Sequence, residues 1–73
     1  MNIREELLNI LYELGIVVDN NGQLLDVDSI LFITIIIRIE EKFNIIFPDD
    51  VLQLPLVNNI NNLEIIVSNI MEE

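Results

Sequence analysis

Seventy-three residues, 52% of them apolar and 22% charged, make one small folded module with a single core rather than a disordered chain. Three Lys and Arg against 13 Asp and Glu give a net charge of −10, a field that repels nucleic-acid phosphates and anionic lipid surfaces and favours partners with basic patches. The absence of Cys and His excludes disulfides, thiolate nucleophiles, Cys or His metal sites and a Ser–His triad, so the chain is a poor candidate for an enzyme acting alone.

The chain opens Met1-Asn2-Ile3-Arg4-Glu5-Glu6, which lacks the basic-then-apolar order of a signal peptide. A helix is expected over about residues 3–14. Asn2 can cap it, with Glu5 at capping-box spacing. Ile3, Leu7, Ile10, Leu11 and Leu14 recur on one face, and Gly15 can take the left-handed stop. Tyr12 is expected as a partly buried core aromatic.

Residues 16–28 show no helical period. Asn21-Gly22 is a turn signal, and Val17-Val18 before it and Leu24-Leu25 after it allow a hairpin. A long loop pinned by its apolar residues is preferred, because a lone two-stranded hairpin beside helices is marginal. Asp19-Asn20-Asn21-Gly22 also suggests a calcium loop. The spacing rules it out: the glycine falls at loop position 4 instead of 6, and position 12 is Ile30 rather than Glu. The pairs Asp26/Asp28 and Asp49/Asp50 read as solvated caps and turns rather than metal ligands.

The second helix carries most of the information. Asp28 can cap it and Ser29 opens it. At about 100° per residue, Phe32, Ile35, Ile36, Ile39 and Phe43 form a core stripe. Ile30, Ile33 and Ile37 form a second stripe beside it, while Thr34, Arg38 and Glu41 share the polar side. An apolar arc of about 100° suffices to pack a surface helix, so the excess is either unusual core or an exposed patch that binds something. The run Ile30 to Ile37 contains Thr34 and is far short of the ~20 residues of a membrane span, so no membrane association is expected and the cytoplasm is the expected location.

Asn44 ends that helix, and Phe47-Pro48 breaks the chain. Asp49 is expected to cap a short helical turn over Asp50 to Leu54, stopped by Pro55. Residues 56–61 are expected as a connector. The last helix is expected to start near Asn61 or Asn62, with Glu64 at capping-box spacing if Asn61 is the cap, and with Leu63, Ile66, Val67 and Ile70 buried. The sum is a small all-α bundle of three main helices plus one short helix, with a long loop after the first, in one domain over residues 1–73.

Ser29 is the position of chemical interest. Free backbone N–H groups and the positive dipole end at a helix start suit a phosphoester. No base stands near it in sequence, so a transferase would have to supply the base and the metal. From the Asp-Ser pair alone, an ordinary helix start is the stronger reading. A wider pattern changes this. Asp28-Ser29-Ile30 is followed by the aliphatic stretch through Ile39, then Glu40-Glu41-Lys42-Phe43, then Phe47-Pro48-Asp49. Without a gap, this resembles the central segment of acyl carrier proteins. Asn59-Ile60-Asn61-Asn62-Leu63-Glu64-Ile65-Ile66 resembles the segment that opens the last helix in many carrier domains.

The resemblance implies a free-standing, monomeric carrier and not an enzyme. Ser29 would bear a 4′-phosphopantetheine arm, next to Asp28, and acyl or aminoacyl groups would ride on it as thioesters. It implies, as partners, a phosphopantetheinyl transferase, an acyl- or aminoacyl-loading ligase, and synthase or transferase enzymes of fatty-acid, polyketide, nonribosomal-peptide or related biosynthesis. Ile30, Ile33 and Ile37 match partner-facing positions. Leu31 and Thr34 lie in the same docking helix, and Glu40 and Glu41, which by themselves read as a solvated face, match positions that touch partners. The chain departs from the family pattern in three ways. Asp26 stands where a Gly usually precedes Asp-Ser by two residues, Leu31 and Thr34 stand where acids usually follow the serine, and the connector around Leu54-Pro55-Leu56 is about two residues longer than in the fatty-acid-synthesis type. The second departure implies docking that is more apolar and less salt-sensitive than usual. The third looks closer to carriers of specialised pathways, including aminoacyl and peptidyl carriers. The competing reading is a small acidic protein-interaction module, a carrier relative without the arm.

Overall fold

Three side-chain caps start the three long helices. In the computed structural model, which describes residues 2–72, Asn2 Oδ1 accepts from Glu5 N at 3.0 Å and starts α1 (Ile3–Glu13). Asp28 Oδ1 accepts from Leu31 N at 2.8 Å and starts α2 (Ser29–Phe43). Each bond satisfies one of the amides a helix start leaves without a partner. The stops are also local. Gly15 follows α1 at φ +74°, and Asn44 closes α2 at φ +55°.

The segment after α2 differs from expectation. Pro48 precedes a single 3₁₀ turn, Asp49–Val51, with no side-chain cap from Asp49. A separate one-turn helix, α3, then spans Leu54–Val57. Pro55 therefore sits in its first turn instead of ending a helix, a place where a missing N–H costs nothing and the fixed φ suits helix. So α3 takes part of the expected connector. The last helix, α4 (Ile60–Met71), begins a residue or two early, and its cap is Asn59, whose Oδ1 accepts from Asn61 N at 2.8 Å. Ile60 is 1% exposed, and its N–H donates to Gly22 O at 2.7 Å, so burial and a bond to the first loop set the start.

Residues 16–28 form a loop without a regular strand, but its turn pairs as the hairpin alternative would: an antiparallel bridge joins Val18 to Leu24, Leu25 N donates to Val17 O at 2.9 Å and Asp19 N donates to Gln23 O at 3.0 Å. A second antiparallel bridge joins Gln23 to Asn59. Asp19 Oδ1 accepts from both Asn21 N and Gln23 N, which fixes the turn. Ile16 and Leu24 are buried and anchor the loop. Gly22 has no alternative here. Its φ is +85°, and a Cβ would lie 2.7 Å from Asn61 Nδ2.

Leu7, Leu11, Ile35, Ile39, Ile60, Leu63 and Val67 form the driest part of the core, and Phe43, Phe47 and Val57 close it. No polar or charged residue is buried among the described residues. Tyr12 is not in the core but 84% exposed. It follows buried Leu11, and one residue rotates a helical side chain by about 100° off the buried side. Arg38 and Lys42, like charges one turn apart, each reach an acid on α1, at 3.9 Å to Glu13 and 3.2 Å to Glu6. Arg4 on α1 reaches α4, where Nη1 donates to Asn61 Oδ1 at 2.9 Å and to Glu64 Oε1 at 3.0 Å. No helix among the described residues is long and apolar enough to cross a membrane.

Candidate functional site

Ser29 is exposed, as the first residue of α2. Asp28 does the capping there, because its carboxylate takes Leu31 N and its carbonyl takes Phe32 N at 2.9 Å. The Ser29 hydroxyl makes no hydrogen bond among the described residues. Ser29 N and Ile30 N find no backbone acceptor there either. A free hydroxyl thus stands at the positive end of a 15-residue helix, where amide donors and the dipole favour a phosphodiester's negative charge. Two open grooves of about 460 and 330 Å³ run along α1, and neither includes Ser29. This serine is a projecting point on the surface, suited to entering another protein's active site.

The second stripe is surface and not core. Ile30 is 77% exposed, Ile33 56% and Ile37 49%. With Ser29 they lie on the outward part of α2, while Ile35, Ile36, Ile39 and Phe43 fill the buried part. Leu31 and Thr34 are half-buried, and Thr34 Oγ1 donates to Ile30 O at 3.0 Å, so its hydroxyl is turned onto the helix itself. Glu41 is exposed. Glu40 is not the solvated carboxylate its residue type suggests. It is half-buried, and its Oε2 accepts from Phe47 N at 2.9 Å, holding the segment that leaves α2.

Asp26, two residues before Asp28, has φ +57°. Only glycine enters that region freely, and Asp is among the few other residues that tolerate it. The place where carriers usually have Gly therefore demands a left-handed backbone in this chain as well. This local strain, just ahead of Ser29, is a feature that periodicity and charge could not reveal. The Gly in the family pattern was its one sequence signal.

These residues fit a phosphopantetheine group, through an accessible hydroxyl with no internal partner, unpaired amides beside it and a neighbouring cap that does not depend on it. The family profile described as "Phosphopantetheine attachment site" matches residues 2–63. No curated protein and no solved structure matches the chain significantly.

Proposed function

The chain belongs to the acyl carrier protein family, whose members carry covalently attached 4′-phosphopantetheine and act as carriers rather than catalysts; from that premise we propose that Ser29 is the attachment residue and that the protein delivers acyl or aminoacyl groups to biosynthetic enzymes. The observation that carries the assignment is the unpartnered, exposed Ser29 hydroxyl at the start of α2. When bound, the arm supplies the thiol that a Cys-free chain lacks.

The chain's own residues have limited tasks. Asp28 holds the first turn of α2 so that Ser29 can be modified without loss of a cap. The helix start offers amides and a dipole to the phosphodiester. The chain has no His or Cys, and the neighbouring Asp28 carboxylate is engaged with Leu31 N, so the serine proton is assigned to a base of the phosphopantetheinyl transferase. The exposed isoleucines on α2 offer docking surface to that enzyme and to the loading and synthase enzymes that follow.

The test is intact-protein mass spectrometry after incubation with coenzyme A and a broad-specificity phosphopantetheinyl transferase, with Ser29→Ala alongside. The expected result is a gain of one phosphopantetheine on the native chain and none on the variant. A folded native chain that gains nothing would instead favour an interaction module without the arm.

A further inference from the structure

Asn21 alone among the asparagines is followed by Gly; every other one precedes Asn, Ile or Leu, whose side chains crowd the next amide. Asn21 is exposed, and among the described residues its carboxamide makes no hydrogen bond. Its neighbour is the opposite. Gly22 is buried, its N–H donates to Asp19 O at 3.0 Å, and its carbonyl takes Ile60 N at 2.7 Å. Asp19 Oδ1 holds Asn21 N and Gln23 N, and Asn59 Nδ2 donates to Asn21 O at 3.3 Å. A free carboxamide therefore adjoins an amide nitrogen that the fold keeps engaged, in the turn that ties the first loop to α4.

We propose that Asn21 is a site of spontaneous deamidation through a cyclic imide with Gly22, and that opening of the joint between the first loop and α4 sets its rate. Asparagine is a thermolabile residue, and glycine has no Cβ to shield its own amide. Gly22 N gives its proton to solvent hydroxide and attacks Asn21 Cγ. The Cγ–Nδ2 bond breaks, and Nδ2 leaves as ammonia with a proton from water. Water then opens the imide. Attack at Cγ gives Asp, and attack at the backbone carbonyl carbon gives isoaspartate, whose chain runs through the former side chain. One water enters and one ammonia leaves. In the closed joint the Gly22 N–H is bonded to Asp19 O, so it must open before it can lose its proton, as an amide does in hydrogen exchange. Isoaspartate adds one backbone carbon just before Gly22, which moves Gly22 N off Asp19 O and Gly22 O off Ile60 N. Either product adds a carboxylate to a chain already at −10.

The experiment incubates the purified chain in mildly alkaline buffer, folded and in guanidinium chloride above its unfolding midpoint. Fragmentation mass spectrometry locates each amide-to-acid change. The first change is expected at Asn21, at least about tenfold faster in the unfolded chain. Asp19→Ala, checked for native helicity by circular dichroism, removes the acceptor of Asn21 N and Gln23 N and is expected to speed the folded reaction about threefold or more. Asn21→Gln is expected to abolish the fast change. The isoaspartate product is expected to unfold at a lower urea midpoint than Asn21→Asp, which adds the same charge without the extra carbon. A first change at another asparagine, or none at Asn21 in guanidinium chloride, overturns the site. Equal rates in the folded and unfolded chain, or a folded Asp19→Ala with the native rate, overturn control by the joint. If Asp19→Ala does not fold, the comparison in guanidinium chloride decides. An isoaspartate product as stable as Asn21→Asp overturns the effect of the extra carbon.

Discussion

Asp26 and Ser29 lie three residues apart and illustrate opposite kinds of side-chain importance. Asp26 pays for a backbone shape, since φ +57° costs an L-residue about 1–2 kcal/mol, somewhat less for Asp. Replacing it with Gly removes that cost but adds about 0.5–1 kcal/mol of chain entropy in the unfolded state. Asp26→Gly is therefore expected to raise stability modestly, by about 0.5 kcal/mol, read as a higher urea midpoint with unchanged slope. A lower midpoint would mean that the Asp26 side chain holds something itself. Ser29, in contrast, supports nothing in the fold. Ser29→Ala is expected to stay within about 0.5 kcal/mol of the native chain. Asp28→Ala, one residue away, is expected to lose about 0.5–2 kcal/mol with the cap. Urea unfolding of the pair separates the two roles, and a large loss from Ser29→Ala would count against a serine free for modification.

At the scale of the element, α2 is two surfaces on one helix. Ile39 is fully buried, and Ile37, two residues earlier, is half exposed. Ile39→Ala is expected to cost about 2–5 kcal/mol, and Ile37→Ala less than about 1 kcal/mol. Thermal unfolding of both variants would check this, and equal losses would place the outer stripe in the core. The start, the stop and both stripes of α2 were legible in the sequence because caps act over three residues and helical period over seven. The short helix was not. Pro55 is as compatible with the first turn of a helix as with its end, and only the position of Leu54–Val57 against α4 separates the two.

For the whole molecule, the first loop and the start of α4 form one joint. Gly22 O takes Ile60 N, Leu24 N donates to Asn58 O, and Gln23 bridges to Asn59. Gly22→Ala must strain a backbone at φ +85° and push a methyl to 2.7 Å from Asn61 Nδ2. The expected loss is about 1–3 kcal/mol, measured as a lower unfolding temperature. Little change would show that the joint yields without cost. Among the described residues, the ion pairs that tie α1 to α2 and α4 are all at least partly exposed to solvent and contribute at most about 1 kcal/mol each, so the core and this joint set most of the stability.

The sequence by itself determined the all-α class, the caps at Asn2 and Asp28, the stops at Gly15 and Asn44, and the place of Ser29 at a helix start beside an apolar excess. Each of these follows from residues within a turn or two of one another. The tertiary structure alone decided that the second stripe is exposed, that Tyr12 faces solvent, that Glu40 is held by Phe47, and that α4 begins at Ile60. Burial depends on what packs opposite, and bonds such as Arg4 to Asn61 and Glu64 join residues 57 and 60 apart, which no local pattern specifies.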